Sequence, residues 1–178
     1  WYTGGMETTH PRSNIVLIGM PGAGKSTVGV LLAKETARAF VDTDLSIQER
    51  EGRSLQEILD TEGYLRLREI EESVLLSLDL RHHVVATGGS AAYSARAMEH
   101  LRRDGVVVFL YVAPQTLLAR ISNFGTRGIA RRPDQSWDDL YQERLALYRR
   151  YADLTIDCGD AGHEEVCTRI VDALRGQI

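Results

Sequence analysis

The stretch GMPGAGKSTVG at residues 19–29 is the strongest indication of the fold, because it matches the Walker A pattern G-x-x-x-x-G-K-S/T in full. Its glycines let backbone N–H groups approach phosphate oxygens without a Cβ in the way. A β-type apolar run at residues 15–18 precedes the loop, and residues 28–36 have a helical pattern. This strand–loop–helix context predicts a site for the phosphates of a nucleotide.

The loop also indicates which groups bind ATP and Mg²⁺. We expect Lys25 to reach the β- and γ-phosphates and the Ser26 hydroxyl to ligate Mg²⁺. The helix that begins near Lys25 adds its positive N-terminal end. The residues expected to bind ATP form the second half of the loop: Gly22, Ala23, Gly24, Lys25, Ser26 and Thr27.

Length and composition favour one globular domain. The chain has 178 residues, of which 43% are hydrophobic, and a net charge of −4, which argues against a nucleic-acid or membrane-surface binder driven by overall charge. No apolar run approaches the roughly 20 residues needed to span a bilayer. Residues 1–5 precede Met6 and look like a cloning remnant, so we take 6–178 as a single domain. The two cysteines, Cys158 and Cys167, make no disulfide framework, and we expect a cytoplasmic protein.

Short apolar runs alternate with stretches of helical spacing along the whole chain. Runs of consecutive apolar residues are typical of strands buried on both faces, as in a parallel sheet covered by helices. The runs after the first lie at residues 39–41, 84–86, 106–112 and 154–156. The alternation predicts an α/β three-layer sandwich.

Asp42 and Asp44 come at the end of the second run. On a strand, carboxylates two residues apart project to the same face, and ligands of open α/β sheets bind beyond the carboxyl ends of the strands. We therefore expect one acid on the metal side and the other on an acceptor hydroxyl. The alternative is that Asp44 only caps a helix over residues 45–50.

Arg144 lies on the apolar face of a predicted helix at about residues 137–151. A guanidinium on an inward face needs an anionic partner, and its planar fork suits a carboxylate or a phosphate. The alternative is that its stem covers apolar surface while its head stays in water. For Arg68, an ordinary helical ion pair with Glu71 or Glu72 is the simpler interpretation of the spacing.

Two loops complete the set of candidates. Residues 122–135 have no apolar period, and a basic group spans this region: Arg120, Arg127, Arg131 and Arg132. A mobile basic loop suits a lid over a transferring phosphoryl group, although a solvated basic loop has the same composition. Gly88 and Gly89 follow the third run, where paired glycines either let a ligand touch the backbone or form a plain turn.

In this order, the stretches resemble the shikimate kinase family. The likeness runs from about residue 15 to 157 and rests on GMPGAGKSTVG, FVDTD, GRSLQEIL with EGYLRLREIEE, TGGS and ERLALYRRYAD. The resemblance implies a P-loop, nucleoside-monophosphate-kinase-like fold with a five-stranded parallel sheet, a substrate-binding helical region at about 45–80 and a lid at about 120–135. It also implies ATP-dependent phosphorylation of the 3-hydroxyl of shikimate with Mg²⁺, and we expect a monomer.

On the acceptor side, the resemblance implies that Asp44 binds the hydroxyl as a catalytic group. Arg68 and Arg144 then hold the shikimate carboxylate, and Gly88 and Gly89 contact the ring hydroxyls through the backbone. The resemblance thus favours a ligand role for Arg68 over the helical ion pair.

On the nucleotide side, the resemblance implies that Asp42 lies near the magnesium ion with Ser26. Lys25 and Arg127 are then the catalytic cations, Arg127 as the lid arginine near the phosphates. Arg120 lies against the adenine.

The sequence departs from the family pattern at the third glycine of the TGG loop, which is Ser90, and after the expected lid arginine, where Gly128 replaces a proline. Arg131 or Arg132 is therefore an alternative lid arginine. These departures leave room for a related P-loop kinase of another small hydroxy acid or sugar acid. A nucleotide-binding regulatory module without turnover is a separate alternative.

Overall fold

A computed structural model of the chain describes residues 11–120 and 128–177. Its strands are β1 (Asn14–Ile18), β2 (Ala39–Asp42), β3 (His83–Ala86), β4 (Gly105–Tyr111) and β5 (Leu154–Asp157). Its helices are α1 (Lys25–Glu35), α2 (Thr43–Glu51), α3 (Leu55–Ser77), α4 (Ala95–Arg102), α5 (Pro114–Arg120), α6 (Trp137–Tyr151) and α7 (His163–Leu174). A 3₁₀ turn at Ala91–Tyr93 links β3 to α4.

The five strands form one sheet in the order β2-β3-β1-β4-β5, and every pairing is parallel. β1 occupies the centre, where Ile15 pairs with Val84 on one side and with Val106 on the other. The carboxyl ends of all strands therefore meet at one edge, which is where ligands bind in open α/β sheets. The predicted α/β fold with a five-stranded parallel sheet is confirmed.

The core forms around the central strands, because their side chains are apolar on both faces. Ile15, Leu17 and Ile18 are completely buried, and the long strand β4 is buried along most of its length. Helices shield the sheet, with α1 against β3 and α4 against β4. Within the described ranges no helix is both long enough and apolar enough to cross a membrane.

The helical region between β2 and β3 has its own small apolar cluster. It consists of α2 and α3, and α3 is kinked at Gly63, whose φ of 84° is outside the helical range. Ser54 and Glu57 form a capping box at the start of α3. The cluster joins both helices to the loop that precedes α6: Ile47, Ile58, Leu67, Ile70, Val74 and Ala130.

The local structure at the end of β2 differs from the prediction. The strand stops at Asp42, and Asp44 already belongs to the first turn of α2, so the two carboxylates do not share a strand face. The capping alternative is wrong as well, because Asp42 is the cap: its Oδ1 accepts a hydrogen bond from the Asp44 backbone N–H at 3.0 Å. An aspartate at this position satisfies a free helix donor, and this ends the strand early.

Candidate active site

The phosphate loop between β1 and α1 adopts the conformation that its glycines permit. Gly22 and Gly24 have φ values of 83° and 92°, which side-chain-bearing residues rarely adopt. The Lys25 side chain is 9% exposed, and its Nζ donates to the carbonyl oxygens of Gly19 at 2.7 Å and Met20 at 3.0 Å. Burial lowers the pKa of Lys25 to about 8, although the nearby Asp44 acts in the opposite direction.

Ser26 and Asp42 place two side-chain oxygens side by side next to this loop. The Ser26 hydroxyl donates to Asp42 Oδ2 at 2.5 Å, so a hydroxyl and a carboxylate lie together at the start of α1. Oxygen atoms of both kinds can coordinate Mg²⁺, which usually takes one or two protein ligands together with substrate phosphates and water. The described residues contain no cluster of three or more His, Cys, Asp or Glu that could hold a metal ion alone. The pair therefore fits a magnesium ion that arrives with a nucleotide.

A cavity of about 360 Å³ opens at the carboxyl edge of the sheet, next to the phosphate loop. Its lining comes from seven separate parts of the chain: the phosphate loop with the start of α1, α2, α3, the residues after β3, the end of α5, residues 128–130 and α6. The predicted site residues that line it are Gly22, Gly24, Lys25, Ser26, Thr27, Asp44, Gly88, Gly89, Arg120 and Arg144. Arg120 also donates from Nη2 to the carbonyl of Gly159 at 3.0 Å, which ties α5 to the loop after β5.

Arg144 is a buried cation at the wall of this cavity. Its side chain is 1% exposed and donates from Nη2 to the Ala130 carbonyl at 2.8 Å, while its Nε has no hydrogen-bond partner in the described part of the chain. The solvent-exposed alternative is therefore wrong. A buried guanidinium with unused donors is stabilised by a bound anion.

Arg68 converges on the same carbonyl from α3. Its Nη2 lies 3.4 Å from the Ala130 oxygen, and its Nε is also buried without a hydrogen-bond partner among the described residues. The helical ion pair is wrong: Ser90 binds Glu71, and Arg96 pairs with Glu72 at 3.4 Å. Arg68 borders a second cavity of about 410 Å³, which shares Glu71 and Ser90 with the first.

The backbone at Gly88 and Gly89 lies so close to charged side chains that both positions require glycine. A Cβ on Gly89 would lie 2.6 Å from Arg144 Nη1, and a Cβ on Gly88 would lie 2.6 Å from Asp44 Oδ1 and collide with Glu71. Only glycine lets the backbone come this close to the charged side chains. The Gly89 carbonyl accepts from the Tyr148 hydroxyl at 2.5 Å, which fixes the loop against α6.

Glu71 is a site residue that the sequence reasoning missed. It is 3% exposed, and one carboxylate oxygen accepts from the Ser90 hydroxyl while Oε1 has no hydrogen-bond partner in the described ranges. Burial, followed by the charge of Asp44, raises the pKa of Glu71 to about 7. Its position four residues after Leu67 and three before Val74 places it on the apolar stripe of α3, and this spacing was the signal.

Asp44 lies in the first turn of α2, near the charges of Lys25 and Arg144. Burial raises the pKa of Asp44, and the neighbouring Lys25 partly counteracts that effect. Two cations, Lys25 and Arg144, and two carboxylic groups, Asp44 and Glu71, therefore face one small volume. Such a site can bind an anionic molecule and also accept a proton from it.

Only the second half of the predicted lid can be placed. Arg127 lies outside the described residues, as do the residues from 121 onward that precede it. The Gly128 N–H donates to Gln56 Oε1 at 2.8 Å, which attaches the loop to α3. The alternative lid arginines point elsewhere: Arg131 donates to the Gln135 carbonyl, and Arg132 pairs with Glu143 at 3.0 Å.

Comparison with known proteins gives one consistent family. A sequence model of the shikimate kinase family matches residues 21–175. The chain is 38% identical to a shikimate kinase from Thiobacillus denitrificans, covering 93% of this chain and 94% of that protein. It is 34% identical to a shikimate kinase from Caldanaerobacter subterraneus, covering 90% and 95%.

Solved structures give the same result at the level of the fold. A shikimate kinase from Acinetobacter baumannii in complex with shikimate superposes with a TM-score of 0.83 at 33% identity, covering 92% of this chain and 93% of that chain. A thymidylate kinase from Candida albicans superposes with a TM-score of 0.63 at 12% identity, covering 93% and 92%. The second likeness concerns the fold alone.

Proposed function

This chain belongs to the shikimate kinase family, and we propose that it transfers the γ-phosphoryl group of ATP to the 3-hydroxyl of shikimate, giving shikimate 3-phosphate and ADP. One observation supports this acceptor most strongly. Arg144 is buried beside the cavity, has an unused donor, and forms no ion pair within the described ranges. A small acceptor that carries a carboxylate supplies the missing anion.

Asp44 and the two arginines divide the work on the acceptor. Arg68 and Arg144 bind the carboxylate, and the backbone at Gly88 and Gly89 contacts the ring hydroxyls. Asp44 accepts the proton of the 3-hydroxyl while the hydroxyl oxygen forms a bond to the γ-phosphorus. The bond between the γ-phosphorus and the oxygen that bridges it to the β-phosphate breaks, and ADP leaves. Holding both reactants in line supplies most of the acceleration in such transfers.

The phosphate loop binds and orients ATP. Lys25 stabilises the charge on the moving phosphoryl group, and backbone donors of the loop from Gly22 to Thr27 bind the other phosphates. Ser26 and Asp42 hold Mg²⁺, which, when bound, neutralises charge on the β- and γ-phosphates. In this proposal Arg120 lies against the adenine, and Arg127 approaches the phosphates from the lid.

We also propose that the protein works as a monomer in the cytoplasm. Its two cysteines, Cys158 and Cys167, are buried and free, which supports a reducing compartment. A solution mass near 19.9 kDa in light scattering tests the monomer, and a mass of twice that value would contradict it.

A kinase of a different hydroxy acid is the second candidate, and Ser90 is the observation that favours it. The Ser90 hydroxyl binds Glu71 at the border of the acceptor cavity, at a position where the family pattern has glycine. An added hydroxyl there changes the polar lining and can change which ring hydroxyls are accepted.

The release of ADP from MgATP distinguishes the candidates. We expect shikimate to stimulate release strongly, while quinate, gluconate and AMP leave it at background. Stimulation by quinate or gluconate in place of shikimate would identify a different hydroxy acid kinase. Nucleotide binding in a thermal-shift assay with no acceptor-dependent ADP release would favour the regulatory module.

A further inference from the structure

Tyr93, the last residue of the 3₁₀ turn after β3, lies directly against Arg68. The guanidinium carbon of Arg68 is 3.5 Å from the centroid of the Tyr93 ring. At that distance the carbon lies over the face of the ring, because an approach to the edge would leave it much farther from the centroid. The ring of Tyr64, on α3 itself, is more distant at 5.1 Å. Tyr93 is therefore the principal aromatic neighbour of this cation.

A ring stacked on a guanidinium controls where its hydrogen bonds can go. The N–H donors of arginine lie in the guanidinium plane, and a carboxylate binds two of them edge-on. Tyr93 covers one face of the Arg68 guanidinium, so a further hydrogen-bond partner must approach the donors in the guanidinium plane. The Arg68 Nε is buried without a hydrogen-bond partner among the described residues, and its Nη2 makes only a long contact of 3.4 Å to Ala130.

The Tyr93 ring is itself fixed from the other side. Its hydroxyl donates to Glu143, which also accepts from Arg132 at 3.0 Å and from Gln135 at 3.1 Å. Glu143 immediately precedes Arg144 on α6, and the Arg144 guanidinium carbon lies 5.7 Å from the same ring. One aromatic ring therefore contacts Arg68, lies near Arg144, and is anchored to the helix that carries Arg144.

We propose that Tyr93 is a positioning residue that sets acceptor specificity: it holds the Arg68 guanidinium flat, so that its edge and that of Arg144 meet the carboxylate of the acceptor. The inference rests on the proposed function, because it concerns the carboxylate of the same acceptor. Removing the ring frees Arg68 to adopt other rotamers. The enzyme then loses its preference for an acceptor with a free carboxylate, and ATP binding is left intact.

The test compares Tyr93→Leu, Tyr93→Phe and Tyr64→Leu with the wild type. The KM and kcat values are measured for ATP, for shikimate and for shikimate methyl ester, which lacks the charge. For Tyr93→Leu we expect the KM for shikimate to rise about three- to tenfold, as is usual for the loss of a cation–π contact. The KM for ATP stays unchanged, and the preference for shikimate over its ester falls by the same factor.

The controls separate positioning from packing. Tyr93→Phe keeps the ring and should keep the preference, and Tyr64→Leu removes the more distant ring and should have a smaller effect. Thermal melting checks the fold, and Tyr93→Met replaces Tyr93→Leu if the leucine variant is unstable. An unchanged preference, or an equal rise of KM for ATP and shikimate, would overturn the positioning role. A wild-type protein that is inactive with shikimate would instead contradict the proposed function.

Discussion

Lys25 and Arg144 are cations that the fold removes from water, and among the described residues neither is paired with a carboxylate at ion-pair distance. Withdrawing such groups from solvent costs stability unless an anion compensates. One faces the phosphate loop and the other the acceptor side of the same cavity. Two separate anions, a nucleotide and a carboxylate, account for this arrangement better than one.

Replacing Lys25 tests the phosphate side. Lys25→Met should lower kcat by about 10²–10³-fold, the range seen when one donor to a transition-state charge is removed. The protein should still fold, because the methionine fills a similar volume. Assays of ADP release measure kcat, and circular dichroism checks that the protein is folded. Lys34→Met, at an exposed position of the same helix, is the matched control and should leave turnover unchanged.

Replacing Arg144 tests the acceptor side. Arg144→Ala should raise the KM for shikimate about 30-fold or more, since loss of one partner of a buried charge pair costs at least about 2 kcal/mol. The KM for ATP should change little. Arg149→Ala, an exposed arginine on the same helix, is the control. Equal increases in both KM values would mean that Arg144 does not hold the carboxylate.

At the scale of one residue, the sequence predicted charge positions well and local geometry less well. The apolar stripe of α6 placed Arg144 correctly, because helical periodicity decides which face is buried. The same periodicity in α3 pointed to Glu71, yet a neighbouring arginine suggested a surface ion pair instead. The end of β2 was not predictable from spacing, because both Asp42 and Asp44 are good caps.

At the scale of the element, α6 connects the loop that precedes it, the glycine pair after β3 and the 3₁₀ turn. It carries Arg144, its Tyr148 bonds the Gly89 carbonyl, and its Glu143 anchors Tyr93 and Arg132. Its predicted start is confirmed: the Ser136 side chain accepts from the Asp139 N–H at 3.1 Å. Capping signals of this kind are local, which is why the sequence reveals them.

Removing that cap tests how far the element depends on it. Ser136→Ala should lower the free energy of unfolding by about 1 kcal/mol, the usual effect of losing a serine cap. Urea denaturation followed by circular dichroism measures it. Thr168→Ala, at an exposed position inside α7, should be neutral or slightly stabilising because alanine favours helix. An unchanged stability of the Ser136 variant would show that the cap contributes nothing.

At the scale of the whole molecule, binding groups and stabilising groups occupy opposite edges of the sheet. The cavity lies at the carboxyl edge, whereas Asp153 lies at the amino edge, just before β5. Asp153 accepts from Arg12 at 2.8 Å, Arg102 at 2.9 Å and the Val107 backbone N–H at 2.8 Å. It thus joins the segment before β1 to α4, β4 and β5.

The pKa of Asp153 gives a pH-dependent prediction. Burial alone would raise its pKa, but the Val107 N–H and the two arginines outweigh burial and hold the pKa below its usual range. A lowered pKa in the folded state contributes stability above the unfolded-state value near 3.9, and this contribution disappears as pH falls through the folded-state value. Asp153→Asn should therefore lower stability at pH 7 by about 1–2 kcal/mol and reduce the loss on acidification.

Urea denaturation at pH 7 and at pH 3–4 measures both effects, and ADP release should stay at the wild-type rate. Asp172→Asn, which removes one partner of an exposed pair with Arg175, should change stability by less than about 0.5 kcal/mol. A steeper loss on acidification in the Asp153 variant would contradict the assigned sign.

The α/β fold class was predictable because the Walker loop and the alternation of apolar runs are patterns that few folds combine, and the resemblance to the family implied the five-stranded parallel sheet. The order of the strands was not predicted. The convergence of Arg68 and Arg144 on one carbonyl, and the stack of Tyr93 on Arg68, depend on contacts between distant segments. No local pattern in one sequence encodes such contacts.

The position of the phosphate on the product separates phosphorylation of the shikimate 3-hydroxyl from the alternatives. The protein is incubated with MgATP and shikimate, and the product is analysed by ³¹P NMR with correlation to the ring protons. We expect a single phosphomonoester, coupled to the proton on carbon 3, in amounts equal to the ADP formed. A phosphate on another hydroxyl, or ADP formed without a phosphorylated acceptor, would contradict the arrangement of Asp44, Arg68 and Arg144 around shikimate.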